Sequence, residues 1–277
     1  MSSLSPALQK FLDRSRAIQS CLCVGLDADF NKLPERFLQQ ELPQFAFNQW
    51  IIEQTHEFAA AYKPNSAFYE ARGGQGMQEL KLTLQYLHEN HPDIFLIDDA
   101  KRADIDSTNL GYVTAIFDEL GFDAVTLHPY LGQTALAPFL DRADKVSIIL
   151  CRTSNPGAGD LQDLPVGSQQ DPLWKIVAQK VSQDWNTNNN CMLVVGATYP
   201  EELRQIRAVV GEEMLFLVPG VGAQGGSLTE ALQAGANSKG EGLVINSARG
   251  IIFAENPRAE AQKLVEEYRA FLQTLSL

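Results

Sequence analysis

Apolar and polar positions alternate between two periods from one end of the chain to the other. An amphipathic helical opening (Leu8, Phe11, Leu12, Ile18) leads into the short apolar run Cys21–Leu26. Helical spacing returns over Phe47–Phe58, Met77–Leu87, Ile105–Leu120, Thr134–Leu140, Leu173–Trp185, Pro200–Val210, Leu228–Ala234 and Arg258–Leu275. Between these lie the compact apolar runs Ala59–Tyr62, Ile94–Ile97, Ala124–Leu127, Val146–Leu150, Met192–Val195, Met214–Val218 and Leu243–Ile245. Runs that are apolar without alternation predict strands of a parallel sheet covered on both faces. Eight strand–helix units in about 250 residues predict an α/β protein, a (β/α)8 or TIM barrel, over an open doubly wound sheet. No linker rich in Gly, Ser or Pro divides the chain, so one domain over residues 1–277 is expected. Asn186–Asn190 and Asn155–Gln170 read as loops, the second long enough for a lid or insertion.

A barrel of this kind gathers its chemistry at the carboxyl ends of the strands. Polar residues follow nearly every predicted strand there: Asp27, Lys63-Pro64-Asn65, Asp99-Ala100-Lys101, His128, Arg152-Thr153-Ser154-Asn155, Pro219–Gly226 and Asn246–Gly250. The third is the densest. In Phe95-Leu96-Ile97-Asp98-Asp99-Ala100-Lys101, alternation puts Phe95, Ile97, Asp99 and Lys101 on one face, with Asp98 turned toward helices or surface. Asp104 follows where the helical pattern resumes.

Lys63 and Lys101 from neighbouring strand ends would share one mouth, with Asp27, Asp99 and Asp104 as the available counter-charges. At about 4 Å and an effective dielectric near 20, each unlike pair gains roughly 4 kcal/mol before desolvation. An array of alternating sign would hold itself in place. Lys101 would then serve as a fixed cation and general acid, a poor candidate for Schiff-base chemistry. The glycines of Pro219–Gly226 with Gln224, and Arg249 after the last strand, read as a phosphate grip, a use this fold makes of those two loops. Ser154 reads as a turn former or as a hydrogen-bonding group for a heterocycle, and His128, with no carboxylate partner nearby in sequence, as structural in preference to a general base.

Composition narrows the partners. The 277 residues are 45% hydrophobic and 20% charged, ordinary for a globular protein. A net charge of −12 disfavours nucleic acid and anionic membrane surfaces. No apolar run nears the roughly 18 residues of a spanning helix. Met1–Pro6 lacks the basic and apolar regions of a signal peptide, so the cytoplasm is the expected compartment. Cys21, Cys23, Cys151 and Cys191 lack zinc-site spacing and read as buried thiols, and the four histidines form no metal motif.

Asp99-Ala100-Lys101-Arg102-Ala103-Asp104-Ile105 with Thr108 resembles the Asp-x-Lys-x-x-Asp-Ile-x-x-Thr signature of the orotidine 5′-phosphate decarboxylases. Lys63-Pro64-Asn65 with Ala67–Glu70, Thr153–Gly157 and Pro219–Gln224 are similar to further blocks of that family in the same order, and the Asp-Ala-Lys-Arg variant resembles its longer bacterial branch. The resemblance spans Asp27 to Arg249 and implies a cofactor-free, metal-free decarboxylase that makes UMP, the last step of pyrimidine synthesis. It implies Asp27 and Lys63 at a ribose hydroxyl, Asn65 as a further substrate contact, and Asp99 against the substrate carboxylate. Lys101 would stand beside C6, Ser154 at the pyrimidine, and Gln224 and Arg249 at the phosphate. Asp104 and Thr108 would reach across a homodimer interface into the partner's site. Asn246–Gly250 departs from the family's commoner Gly-Arg-x-Ile form, which affects the backbone partners of Arg249. Two other readings fit parts of the pattern: a Mg²⁺-dependent sugar-phosphate decarboxylase or aldolase of the same barrel group, and a non-catalytic nucleotide-binding protein. The first wants acidic oxygen ligands where the second strand ends in Lys63.

Overall fold

Eight parallel strands close into a barrel in the computed structural model, which describes residues 4–222 and 225–275. They are β1 (Leu22–Gly25), β2 (Ala61–Lys63), β3 (Phe95–Arg102), β4 (Ala124–Leu127), β5 (Val146–Arg152), β6 (Cys191–Val195), β7 (Leu215–Pro219) and β8 (Leu243–Ser247). Each pairs with the next in sequence, and β8 closes on β1 with Leu22 opposite Ile245. The predicted runs place every strand to within a few residues. The main departures are at β3, β5 and β8, whose ladders continue beyond the apolar stretch into Arg102, Arg152 and Ser247. Backbone pairing does not depend on side-chain polarity, so these strands carry their polar residues onto the rim.

The barrel interior is filled by alternate residues of the strands, among them Cys23, Ala61, Phe95, Ile97, Ile148, Met192 and Leu217. The helix Pro6–Ile18 plugs the amino-terminal end, with Leu8 and Phe11 buried and the Phe11 and Phe95 rings 5.7 Å apart. The outward residues pack beneath the surrounding helices in a second cluster that includes Val24, Tyr62, Leu96, Val125 and Phe216. The amino-terminal end of the barrel is therefore filled, and the carboxyl end is left open to ligand.

Several short elements have no counterpart in the sequence pattern: the helices Glu35–Leu38, Ser66–Glu70, Gly159–Gln162 and Arg249–Ile252. Four or five residues make little more than one turn, too few to display a period. The predicted loop Asn155–Gln170 holds one of them and leads into a small antiparallel ribbon that pairs Pro165–Val166 with Asp171–Pro172. The helix predicted over Ile105–Leu120 begins at Asp106 and widens into a π-helical stretch at Thr114–Glu119. Among the described residues no helix is long and apolar enough to cross a membrane.

Arg207 stitches the closing strands from below. Its guanidinium, buried and 4.0 Å from the Phe216 ring centroid, donates to the carbonyls of Gly235, Gly211, Met214 and Gly242 at 2.9, 2.8, 2.7 and 3.4 Å. Burial pulls its pKa down to about 10, against the opposing field of Glu212. Arg207→Leu strands those carbonyls without donors and is expected to lower stability by about 2–4 kcal/mol. Urea denaturation at neutral pH checks this.

Candidate active site

The open end of the barrel holds a cavity of about 510 Å³ lined by residues from all eight strands or the loops that follow them, including Asp27, Lys63, Asp99, Thr126, Ser154 and Asn246. Its floor is apolar (Leu150, Val194, Leu217) and its wall is charged. This is the size and character of a small-ligand site.

Four of the predicted charged residues meet on one side. The Lys63 ammonium, nearly fully buried, donates to Asp99 Oδ2 at 2.8 Å and stands 4.0 Å from Asp27 Oδ1. Lys101 Nζ donates to the other oxygen, Asp99 Oδ1, at 2.5 Å, and its side chain is 48% exposed at the mouth. Charges thus alternate in the order Asp27, Lys63, Asp99, Lys101. Asp99 is the hub: Asn65 Nδ2 adds a bond to Oδ2 at 3.2 Å and Thr126 Oγ1 one to Oδ1 at 3.1 Å. Burial opposes ionisation of Asp99, but the two ammonium groups outweigh it and hold the carboxyl far below the usual carboxylate range. Burial likewise opposes the charge on Lys63, and Asp99 and Asp27 outweigh it, so that pKa lies above the usual lysine value. Asp27 goes the other way: burial raises it more than Lys63 lowers it. Its Oδ1 is buried beside Lys63 without a hydrogen-bond partner, while the residue itself lines the cavity.

Local structure aims these groups. Asn65 caps the helix Ser66–Glu70 by accepting from the Ala67 amide at 3.1 Å, which turns its Nδ2 toward Asp99. Asp98 points outward from the barrel, as the alternation predicts, and is bonded by the Ser66 hydroxyl; burial pushes its pKa up to about 6. Tyr69 of the same helix donates to the Leu26 carbonyl at 2.7 Å, tying the β2 loop to the residue before Asp27. Behind β1, Gln44 Nε2 reaches the Ala28 carbonyl at 2.7 Å, and Glu79, fully buried, accepts the amides of Gln44 and Phe45 and a bond from Arg72. A methyl group on Gly196 would come within 2.9 Å of Ser154 Cβ, so glycine there lets β6 pass close behind Ser154.

Alternation alone does not deliver Lys101. The β3–β4 register breaks between Asp98 and Arg102, and Lys101 takes a left-handed φ of +48°. Its approach to Asp99 comes from that bulge. Asp104 and Thr108, predicted as site residues, lie outside this chain's cavity: Asp104 Oδ1 accepts its neighbour Ile105's amide at 2.7 Å and Thr108 is exposed. Arg249 opens a short helix at the rim, exposed, within electrostatic reach of Asp27 but off the cavity wall. Gln224 lies outside the described residues. In the glycine loop, the amides of Gly222, Gly225 and Gly226 are donated to carbonyls of the loop itself. His128 lies away from the charged array, against a separate apolar cavity with Tyr130 and Trp174. Two cavity residues escaped the sequence reading: Thr126, inside an apolar strand run, and Gln162, whose amide bonds Thr153 N at 3.0 Å and Thr153 Oγ1 at 2.8 Å. Among the described residues no group of three or more His, Cys, Asp or Glu is gathered to hold a metal ion.

A closed (β/α)8 barrel with an ordered line of charges around a cavity at its carboxyl rim defines a barrel enzyme with a small-ligand site. Residues 20–264 match the model of the orotidine 5′-phosphate decarboxylase / HUMPS family. The chain is 45% identical over 265 residues to the orotidine 5′-phosphate decarboxylase of Herpetosiphon aurantiacus, covering 96% of each chain. It is 49% identical over 238 residues to that of Christiangramia forsetii, covering 86% of each. The solved Leishmania donovani OMP decarboxylase superposes with a TM-score of 0.85 at 39% identity over 98% of this chain and 99% of the other. The chain belongs to the orotidine 5′-phosphate decarboxylase / HUMPS family.

Proposed function

We propose that this chain, as one barrel domain over residues 1–277, converts orotidine 5′-phosphate to UMP and CO₂ in the cytoplasm, without cofactor or metal. The observation that carries the reading is the Asp27–Lys63–Asp99–Lys101 line on the cavity wall. Purified protein incubated with orotidine 5′-phosphate and followed by ultraviolet absorbance tests it; a folded protein that leaves the substrate intact contradicts it. A Mg²⁺-dependent sugar-phosphate decarboxylase or aldolase would use the carboxylates as oxygen ligands. Lys63 Nζ, 2.8 Å from Asp99 and 4.0 Å from Asp27, occupies the space between them and favours the decarboxylase.

The steps follow from the charges. The C6–carboxylate bond breaks heterolytically, CO₂ departs, and the electron pair remains on C6, where no ring carbonyl can delocalise it as a simple enolate. The Lys101 ammonium stabilises that pair and then transfers a proton to C6. Its half-exposed position allows reprotonation from solvent. Asp99, pinned by four hydrogen bonds, stands against the substrate carboxylate and presses on it as it leaves. The Asp27 carboxylate at the cavity wall accepts a ribose hydroxyl, with Lys63 beside it, while Asn65 and Ser154 line the same cavity as substrate contacts. Arg249 and Gln224 take the phosphate, whose binding energy, remote from the breaking bond, closes the loops. Asp27→Asn is expected to raise KM about 10- to 100-fold through loss of a charged hydrogen bond, read from initial rates.

We assign the active form to a homodimer in which Asp104 and Thr108 complete the partner's site. Ile105 and Leu110, 57% and 56% exposed beside them, supply an apolar patch suited to such a contact. Mixing and reassociating the inactive variants Lys101→Ala and Asp104→Asn is expected to restore about a quarter of wild-type activity, since half the dimers are mixed and each has one intact site. No recovery after verified subunit exchange contradicts the shared site. The four thiols, all buried and free, fit the reducing compartment.

A further inference from the structure

We propose that Thr126 is a positioning residue for this reaction, its hydroxyl holding the bulged end of β3 so that Lys101 and Asp99 meet at the cavity mouth. The inference rests on the decarboxylase reading above. Asp98 lies opposite Val125 and Arg102 opposite Leu127, so β3 advances four residues while β4 advances two. The intervening residues, Asp99 to Lys101, are displaced from the ladder, as in a bulge that re-aims side chains next to a site. Lys101 within it has φ +48°, a left-handed conformation unfavourable for a residue with a Cβ, which persists only where its surroundings hold it.

Thr126 supplies that hold. It is 1% exposed, sits on β4 facing the bulge, and lines the cavity. Its Oγ1 accepts the Lys101 backbone N–H at 3.0 Å, a donor the register break leaves without a ladder partner. The same hydroxyl donates to Asp99 Oδ1 at 3.1 Å, the oxygen that also receives Lys101 Nζ at 2.5 Å. One hydroxyl thus ties the backbone of the proton donor to the carboxylate that orients it. Valine, similar in shape, offers neither the acceptor nor the donor; serine offers both.

The test compares Thr126→Val and Thr126→Ser with wild type in steady-state decarboxylation, with thermal denaturation as a check on folding. Thr126→Val is expected to lower kcat about 10- to 100-fold with KM within about threefold of wild type, the signature of a misplaced reacting group, not of weakened binding. Thr126→Ser is expected to recover kcat to within about threefold of wild type, because the hydroxyl persists. If Thr126→Val does not fold, Thr126→Ala against Thr126→Ser carries the same comparison. Equal rates for hydroxyl-bearing and hydroxyl-lacking variants overturn the inference. Wild-type protein inert toward orotidine 5′-phosphate overturns the decarboxylase reading, and this inference with it; an active wild type with an equally active Thr126→Val overturns this inference alone.

Discussion

Lys101→Ala is expected to lower kcat by about 10⁴-fold or more while the protein stays folded, because the proposed mechanism gives one side chain two tasks. Aimed electrostatic stabilisation of a developing charge is typically worth 10²–10³-fold, and positioned proton donation a further 10²–10⁴-fold. Both end when the ammonium is removed. The fold tolerates the change: the side chain is half exposed, and Asp99 keeps Lys63, Asn65 and Thr126 as partners. KM should move little, since Lys101 is assigned to the transition state and the phosphate and ribose are assigned to other residues. Absorbance assays at raised enzyme concentration measure the residual rate. A loss below tenfold would remove Lys101 from the role assigned here.

Asp99→Asn is expected to cost both activity and stability. Its carboxylate is bonded to both ammonium ions, at 2.8 and 2.5 Å, and Lys63 is buried. Breaking a buried pair by removing one partner typically costs about 3–5 kcal/mol, since the remaining charge is left uncompensated; here Asp27 at 4.0 Å offsets part of it. We expect kcat to fall about 10³-fold as Lys101 loses its orienting partner. The stability deficit depends on pH with a definite sign. The folded pKa of Asp99 is depressed, so its stabilisation is full above the unfolded carboxylate value, about 3.9, and fades as pH falls below it. The pKa of Lys63 is raised, so its share is full below about 10.4 and fades as pH rises beyond that. The gap between variant and wild type in chemical denaturation should therefore be wide at pH 7 and narrow toward pH 3. A gap independent of pH would contradict the electrostatic account.

How far the sequence reaches depends on the length scale of each cause. Strand and helix order was legible because apolar runs such as Ala124-Val125-Thr126-Leu127 and periodic stretches such as Pro200–Val210 carry their burial in their own spacing. Lys63, Asp99 and Asp27 could be placed because residues ending parallel strands share one rim. Thr126 could not, because its partners arise from a register break between two strands, and nothing in Val-Thr-Leu marks a hydroxyl that faces a bulge. Gln162 was hidden for a similar reason: a four-residue helix inside an insertion turns it back toward Thr153. Alternation at the end of β3 gave the right companions for Asp99 by a route the backbone does not take. Asp104 shows another limit, since it lies outside its own chain's cavity and the role proposed for it depends on a partner subunit.

The most direct test of the central claim is the conversion of orotidine 5′-phosphate by the wild-type protein in the presence of EDTA, followed by ultraviolet absorbance and by identification of UMP as product. The account predicts complete conversion at a rate the chelator leaves unchanged. Intact substrate, or conversion that stops with EDTA and resumes with Mg²⁺, would contradict it.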